Sequence, residues 1–278
     1  MRLVILDFEV YAHDFLAGFK DVENQRYTQI WNDNDAIANC LMDDAIYITF
    51  NGKHYDNYIF KAICAGFTSE EVKEVNDFII VKHHEGWEHP VLKQYRFYAN
   101  LIDVTDDMQK GQSLKSIEGH LGMNIKETDV DFNLNRRLTE AEKQMVSEYN
   151  RHDLDATEKI FKLRKDYYKN KVAIGKLAGI DEVKAMSMTN AKLTAAMLKA
   201  SPKQHDDERQ YKYRDNLLKE YIPQEVFDYF NRMYDPNLSD EEVFKGSKLN
   251  FKIGNCAVVI GMGGIHGAVP NFMWKGGD

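Results

Sequence analysis

Hydrophobic residues in the early part of the chain form short β-type runs separated by stretches of helical spacing. Residues 2–9 are a nearly continuous apolar run, which predicts a strand buried on both faces of a sheet. Residues 15–22 and 27–31 have strand character on either side of a polar turn and predict a hairpin. Residues 45–50 predict another buried strand, and the alternation over 95–103 predicts a further one.

Helical periodicity recurs between and after these strands. Helices are predicted at 34–41, at 55–65, from residue 69 onward, at 113–122 and at 139–168. Strands that alternate with helices are typical of a layered α/β fold and not of a helical bundle. We therefore expect a sheet covered by helices in this part of the chain.

The pattern changes beyond about residue 172. Helical patterns at 189–199 and 223–233 are separated by polar stretches, and residues 249–260 predict a strand or hairpin that leads into a glycine-rich run. We divide the chain into an α/β domain, residues 1–171, and a mainly helical region, residues 172–278. The total length of 278 residues suits two domains of ordinary size.

The first predicted strand ends in two acids, Asp7 and Glu9. Residues i and i+2 of a strand point to the same face, so the two carboxylates project side by side and Phe8 points away. Adjacent carboxylates repel each other unless a proton or a cation neutralises them, and a divalent metal ion is the obvious neutraliser. An ordinary strand end that reaches water is the alternative on these residues alone.

Two further acids follow where later elements meet the same end of the sheet. Asp56 lies at the turn after the strand at 45–50. Asp153 lies four residues after Tyr149 on the long helix, so both side chains lie on one helical face. If the first two α/β strands are neighbours and the long helix packs across them, the acids of all three elements converge. The metal-ligand candidates are Asp7, Glu9, Asp56 and Asp153.

An all-oxygen site of four acids suits hard ions such as Mg²⁺ or Mn²⁺. Two such ions stabilise both the attacking and the departing oxygen of a displacement at phosphorus, so phosphodiester hydrolysis is the matching chemistry. Tyr149 is placed to hold and orient the attacking water without ionising. The sequence therefore predicts a hydrolase that uses two divalent ions.

Three short motifs, in this order, resemble the exonuclease motifs of the DEDD 3′-5′ exonucleases in the Tyr-containing branch. They are Asp7-x-Glu9 on a strand, Asn51-x3-Tyr55-Asp56 at a strand-to-helix turn, and Tyr149-x3-Asp153 on a helix. The resemblance covers roughly residues 1 to 170 and implies a ribonuclease-H-like fold, a mixed sheet of about five strands flanked by helices. The catalytic residues that it implies are Asp7, Glu9, Asp56, Tyr149 and Asp153.

A finer likeness is to the proofreading domain of phage-like and protein-primed family B DNA polymerases. Ser113-Leu114-x2-Ile117 resembles the Ser/Thr-Leu motif that those enzymes use to hold the single-stranded primer end. The resemblance implies that Asn51, Tyr55, Ser113 and Leu114 bind the 3′ end of single-stranded DNA. Stacking of Tyr55 on a terminal base is worth about 1 to 3 kcal/mol and does not depend on which base is present.

The polymerase motifs of that family are absent from the sequence. Neither an Asp-x2-Ser-Leu-Tyr-Pro segment nor a Tyr-x-Asp-Thr-Asp turn occurs, although Gly263-Gly264 resembles the glycine motif that links the two domains. We expect residues 172–278 to lead toward a missing palm domain, in a truncated chain, a split gene product or a segment of a larger polymerase. A separately encoded polymerase domain is then the expected partner. Two other interpretations stay open, a 3′-5′ exoribonuclease and an inactive fragment that supports the polymerase subunit.

Composition narrows the class of protein. The formal net charge of −8 argues against a general nucleic-acid coat protein, which needs a surplus of Lys and Arg. The three cysteines lie far apart without CxxC spacing, which indicates neither a zinc site nor disulfide bonds. No apolar run approaches the roughly 20 residues that span a bilayer, and the first residues have the pattern of a strand. We expect a cytoplasmic protein, in a bacterium or a phage-infected host cell, with no membrane partner.

Four other residues have ordinary explanations. Asp155 points about 200° around the helix from Asp153 and is expected to be a solvated acid, and His152 does not fit the spacing of the histidine branch. Asp103 ends a predicted strand near the carboxyl edge of the sheet; a part in arranging the cleft is one interpretation, but a surface position is the expectation. Lys126 is the nearest match to a lysine that some of these polymerases place before the third motif, but the following residues break the spacing, so it is not assigned.

Overall fold

A computed structural model describes residues 2–41, 44–109, 111–200, 223–233, 248–253, 256–261 and 264–268. The chain divides into two compact units, Met1–Ala200 and Ser201–Asp278. The first unit therefore extends past the predicted boundary at residue 171, which falls inside a helix, and includes two further short helices.

A mixed five-stranded sheet forms the centre of the first unit. Its strands are β1 (Arg2–Val10), β2 (Phe15–Asp21), β3 (Tyr27–Trp31), β4 (Ala45–Thr49) and β5 (Leu101–Asp103). They lie in the order β3-β2-β1-β4-β5, with β1 antiparallel to β2, β2 antiparallel to β3, and β1, β4 and β5 parallel to one another. The predicted α/β architecture of five mixed strands flanked by helices is confirmed, and it is compatible with a ribonuclease-H-like fold.

The strand predicted at 95–103 is much shorter than expected. β5 has three residues, and the segment before it makes a 3₁₀ turn at Leu92–Gln94 and then continues irregularly. The ring of Phe97 packs against Phe60 with centroids 5.3 Å apart, and that of Tyr95 packs against Phe67 at 5.7 Å. These aromatic contacts hold the segment on the hydrophobic core in place of a longer pairing with β4.

Side-chain caps define the starts of several helices in the first unit. The helices are α1 (Asn34–Ala38), α2 (Asp56–Cys64), α3 (Ser69–Ile80), α4 (Leu114–His120), α5 (Glu140–Leu163), α6 (Lys165–Leu177), α7 (Glu182–Ser187) and α8 (Asn190–Met197). Thr68 begins α3 and Thr139 begins α5, each with a glutamate three residues later in a capping box. A threonine cap of this kind typically stabilises a helix by about 1 kcal/mol.

The long helix predicted over 139–168 ends earlier, at Leu163. Arg164 follows with φ −90° and ψ 15°, and α6 starts at the next residue. The Arg164 guanidinium donates to the backbone oxygen of Asp106 at 2.7 Å and to that of Val104. The arginine therefore anchors the loop after β5 at the junction of the two helices.

Hydrophobic side chains cover both faces of the sheet. Phe8 and Phe60 belong to a core on the side of α2 and α3, whereas Ile5 belongs to a second core on the side of α5. Because successive side chains of β1 alternate between the faces, Asp7 and Glu9 lie on the same face as Ile5. The two acids of β1 are thus directed toward α5.

The second unit is described over part of its length. It contains helix α9 (Gln224–Met233) and an antiparallel sheet in the order β6-β7-β8, formed by β6 (Leu249–Ile253), β7 (Cys256–Gly261) and β8 (Gly264–Ala268). The helix predicted at 223–233 and the hairpin predicted at 249–260 are present. A third strand lies in the glycine-rich run, where none was predicted, and Gly263 lies outside the described residues. Among the helices that are described, none has the length and apolar character needed to cross a membrane.

Candidate active site

The carboxyl end of β1 presents two acids to α5. Glu9 is buried, with 5% of its surface exposed, and Asp7 is partly buried. Phe8, between them, points to the opposite face and places its ring 5.6 Å from that of Phe60. A strand end that simply reaches water does not bury its glutamate in this way, so the ordinary explanation of these two acids does not hold.

Helix α5 brings Tyr149 and Asp153 to the same place. One carboxylate oxygen from each of Asp7, Glu9 and Asp153 lies within 4.8 Å of the other two. The Tyr149 hydroxyl lies near the Asp153 carboxylate, and the charge of that carboxylate acts on it. The helical spacing of four residues therefore does what the sequence predicts, since it places the phenol beside the acid.

Asp56 is the first residue of α2 and lies beside the other acids; we call Asp7, Glu9, Asp56 and Asp153 the acid cluster. Its side chain is 2% exposed and lies near the backbone N–H of Phe8. Its Oδ1 atom is buried and has no hydrogen-bond partner among the described residues. Asp56 is not within the 4.8 Å group, but the charges of Asp7 and Asp56 interact. A buried acceptor oxygen therefore lies near the carboxylates of Asp7 and Glu9.

The acid cluster carries more negative charge than its surroundings balance. Burial is the main cause that raises the pKa of all four carboxyls, and for Asp7, Glu9 and Asp56 the neighbouring carboxylates raise it further. The pKa of Asp7 is raised to about 8. Carboxylates in this situation take up protons or a cation. The all-oxygen donor set and the unpaired oxygen of Asp56 fit a hard divalent ion, so the acid cluster can hold a metal.

A glycine in β2 makes room for the amide that orients Asp7. Asn150 donates from Nδ2 to Asp7 Oδ2 at 2.8 Å and accepts at Oδ1 from Gln29 Nε2 at 3.0 Å. The amide lies directly against Gly18, the partner of Asp7 in the β1–β2 ladder, and a Cβ at Gly18 would overlap it. Neither Asn150 nor Gly18 was predicted from the sequence. The available signal was a glycine inside an apolar strand, which often marks a close approach of another group.

Lys115 on α4 brings a positive charge to the acid cluster, a role that was not predicted from the sequence. Its Nζ bonds to Asp153 Oδ1 and lies 4.7 Å from the centre of the Tyr149 ring. Lys126, the nearest match by motif spacing, is exposed. Lys115 lies inside the Ser113-Leu114-x2-Ile117 motif, directly after two predicted strand-binding residues. That position in the sequence was the signal that could have identified it.

Two clefts meet at the acid cluster. The larger cleft has a volume of 930 Å³ and the smaller cleft one of 430 Å³. Asp56 lies on the wall of the larger cleft and Glu9 on that of the smaller, whereas Asp7, Tyr149 and Asp153 line both. The predicted strand-binding residues all line the larger cleft; they are Asn51, Tyr55, Ser113 and Leu114.

Asp103 holds the loop that carries Asn51, so the surface position expected for Asp103 is wrong. Only 1% of Asp103 is exposed, and its carboxylate accepts from the backbone N–H groups of Asn51 at 2.9 Å, Lys53 at 3.0 Å and Thr105 at 2.9 Å. Asn51 has a φ of 60°, in the left-handed region that costs energy for most side chains. The carboxylate therefore stabilises a strained turn at the mouth of the larger cleft.

Tyr55 and Ser113 both have structural partners at the edge of the larger cleft. The Tyr55 hydroxyl donates to Asn76 Oδ1 on α3 at 2.7 Å, which fixes its ring between the two clefts. The Ser113 hydroxyl accepts from the Ser116 N–H at 3.1 Å and caps α4. That cap fixes the start of α4 and therefore the position of Leu114 in the larger cleft.

Asp155 and His152, two of the residues with ordinary explanations, do not line the two clefts. Asp155 is exposed and accepts from Lys20 Nζ at 2.6 Å, outside the acid cluster. His152 Nε2 lies 3.0 Å from Glu118 Oε1 on α4.

Comparison of the chain with protein-family models, with curated proteins and with solved structures gives no significant match. A functional assignment therefore depends on the acid cluster, its neighbours and the two clefts.

Proposed function

We propose that the first unit is a metal-dependent 3′-5′ exonuclease of the DEDD type, in the Tyr branch, acting on single-stranded DNA. The observation that carries the proposal is the convergence of Asp7, Glu9 and Asp153 on oxygens within 4.8 Å of one another at the junction of two clefts. Asp7 and Glu9 come from the first motif and Asp153 from the third, and the order of the motifs along the chain is the one that the resemblance requires.

The acid cluster would hold two divalent ions, Mg²⁺ or Mn²⁺. Bound there, such ions lower the pKa of a water molecule and stabilise the charge that develops on the attacking and departing oxygens. The unpaired Oδ1 of Asp56 and the position of Asp7 beside both Asp56 and Asp153 support two ions over a single one.

Residues of the chain itself align the water and the phosphate. Burial and the nearby charge of Asp153 raise the pKa of Tyr149, so its hydroxyl stays protonated and acts as a hydrogen-bonding group that orients water. Lys115 lies on the wall of the larger cleft beside Asp153 and offers its ammonium group to a phosphate oxygen. Asn150 keeps the Asp7 carboxylate in a fixed orientation.

The two clefts suit an unpaired strand that passes over the acid cluster. A phosphodiester held by the cluster has a nucleotide on each side, and an exonuclease releases only the terminal one. The larger cleft, with the fixed ring of Tyr55, takes the retained strand by stacking worth about 1 to 3 kcal/mol per base. The smaller cleft takes the released nucleotide against the exposed side chains of Ile80 and Phe132.

We propose that the biological role is proofreading for a phage-like family B DNA polymerase. Ser113 and Leu114 of the Ser/Thr-Leu motif line the same cleft as Asn51 and Tyr55, as primer-end binding by that family requires. Stacking that does not depend on base identity suits a proofreader. The polymerase activity then belongs to a partner, a separately encoded polymerase domain.

The test is degradation of a 5′-labelled single-stranded DNA oligonucleotide in the presence of Mg²⁺ or Mn²⁺. We expect the wild-type chain to shorten the oligonucleotide from its 3′ end in single-nucleotide steps and to stop when the metal is chelated. Asp7→Asn combined with Glu9→Gln abolishes cleavage because it removes two ligands. Glu148→Gln is the matched control, since Glu148 is an exposed acid next to Tyr149 on α5, and it retains the wild-type rate.

Equal rates for the wild-type chain and the double variant refute the proposal. Faster cleavage of a matched RNA oligonucleotide assigns the chain as an exoribonuclease instead. Absence of metal-dependent cleavage together with co-purification of a polymerase subunit assigns it as a supporting fragment.

A further inference from the structure

Helix α4 carries a carboxylate that the proposed reaction does not use. Glu118 has no exposed surface and faces α5. Neither of its oxygens has a hydrogen-bond partner among the described residues. Lys115 Nζ lies 3.5 Å from one oxygen, and His152 Nε2 lies 3.0 Å from the other. A fully buried carboxylate is costly unless a cation balances it, and Lys115 is the ammonium group within reach.

Lys115 is shared between two carboxylates with different roles. Lys115 and Glu118 are three residues apart on α4, so they lie on one face of that helix. The same Nζ bonds to Asp153, which belongs to the acid cluster, whereas Glu118 lies outside the group formed by Asp7, Glu9 and Asp153. One positive charge therefore lies between a proposed metal ligand and a buried acid that binds no proposed metal.

We propose that Glu118 is a positioning residue that accepts Lys115 when a divalent ion occupies Asp153. This inference rests on the proposed metal-dependent function. A divalent ion at Asp153 repels the ammonium group, which then needs another acceptor. Glu118 is already 3.5 Å away on the oxygen that His152 does not face, and that oxygen has no hydrogen-bond partner among the described residues, so a small movement of Lys115 completes the exchange. Lys115 thus stays beside the Tyr149 ring at the larger cleft, where it faces the substrate phosphate.

A metal site of its own is the competing explanation for this group. Ligand atoms of Glu118, His152 and Asp153 do lie within 4.8 Å of one another. The ammonium of Lys115, however, contacts both carboxylates of the group. The Lys115 ammonium therefore occupies the position that a metal ion would take between the Glu118 and Asp153 carboxylates.

The experiment measures Mn²⁺ binding, by calorimetry and by electron paramagnetic resonance, to the full chain and to a double-mutant cycle. Lys115→Met is expected to raise the Mn²⁺ affinity, because it removes the cation that competes for Asp153. Glu118→Gln in the wild-type background is expected to lower the affinity about tenfold, a coupling of the size found for contacting residues. In the Lys115→Met background, Glu118→Gln is expected to change the affinity less than about twofold, since the group that it positions is gone.

Glu118→Asp is the conservative variant that keeps the charge. We expect it to retain a Mn²⁺ affinity within about threefold of the wild-type value, so the position stays testable even if Glu118→Gln does not fold. Near-ultraviolet circular dichroism checks the fold of each variant. A structural role of Glu118 would lower the affinity equally in both backgrounds, and that result overturns the inference.

The outcomes separate this inference from the proposed function. If the wild-type chain binds Mn²⁺ and cleaves DNA while Glu118→Gln binds Mn²⁺ with unchanged affinity, the positioning role alone is refuted. An additional Mn²⁺ that disappears in His152→Gln shows a metal at Glu118, His152 and Asp153 and also overturns the positioning role. If the wild-type chain binds no Mn²⁺, the proposed function is refuted together with the inference.

Discussion

Replacing Asp7 with asparagine tests whether the acid cluster is built to be neutralised by metal. Asparagine has the shape of aspartate and can still accept the hydrogen bond that Asn150 donates to Asp7 at 2.8 Å. It has no charge, however, so it relieves the repulsion that Asp7 experiences from Asp153. We therefore expect Asp7→Asn to make the metal-free protein more stable and to remove its nuclease activity.

The size of the gain follows from the raised pKa of Asp7. The pKa of Asp7 is about 8 in the folded chain and exceeds the ordinary value of 3.8. The stability that the protonated Asp7 carboxyl contributes to the wild-type fold is therefore fully present below about pH 4 and is lost as the pH rises toward 8. Each pKa unit corresponds to about 1.4 kcal/mol, and the interval from 3.8 to pH 7 therefore costs on the order of 4 kcal/mol. Because the other carboxyls of the cluster share protons with Asp7, we expect Asp7→Asn to recover about 1 to 4 kcal/mol at pH 7.

The assay is thermal unfolding of the metal-free proteins between pH 4 and pH 8. For a unit of this size, the expected gain raises Tm by about 3 to 10 °C at pH 7, and the difference disappears near pH 4. Adding Mn²⁺ should stabilise the wild-type chain increasingly as the pH rises, because the ion replaces bound protons, and should stabilise Asp7→Asn much less. A Tm for Asp7→Asn that lies below the wild-type value across this range, or a difference that does not change with pH, refutes the reasoning.

Three further predictions concern the surroundings of the acid cluster. Gly18→Ala should displace the Asn150 amide, destabilise the fold by about 1 to 3 kcal/mol and lower the nuclease rate. Unfolding and cleavage assays measure both effects. Gly119→Ala is the control, because its Cβ would make only an ordinary contact at 3.5 Å. Tyr149→Phe should keep the fold and reduce kcat more than KM in steady-state kinetics, and an unchanged kcat contradicts its role with water. Removal of residues 172–200 together with the second unit should lower both stability and cleavage relative to a chain ending at 200, because α7 and α8 hold the loops beside the larger cleft through Ser187 and Asn190.

The features that the sequence predicted well depend on local geometry. The period of two in a strand places Asp7 beside Glu9, and the period of the helix places Tyr149 beside Asp153. The alternation of strand and helix patterns also predicted a sheet covered by helices, because each element must cover a hydrophobic face of its neighbour, whereas the mixed order of five strands was implied by the resemblance. The direction of a side chain within a strand or helix depends on only a few neighbouring residues, so it can be predicted from a single sequence.

The features that the sequence did not predict depend on contacts between distant elements. Asn150 and Gly18 meet because α5 crosses β2, and Lys115 reaches Asp153 because α4 packs against α5. Asp103 has a surface-like sequence position, yet three backbone N–H groups of the neighbouring loops converge on it. Periodicity predicts which face of an element a residue occupies, but not which other element covers that face.

Anomalous diffraction from crystals grown with Mn²⁺ tests the central claim most directly. The account predicts two anomalous peaks in the acid cluster, one between Asp7, Glu9 and Asp153 and the other between Asp7 and Asp56. The absence of any peak beside these four carboxylates at saturating Mn²⁺, or a peak bound only by other residues, contradicts it.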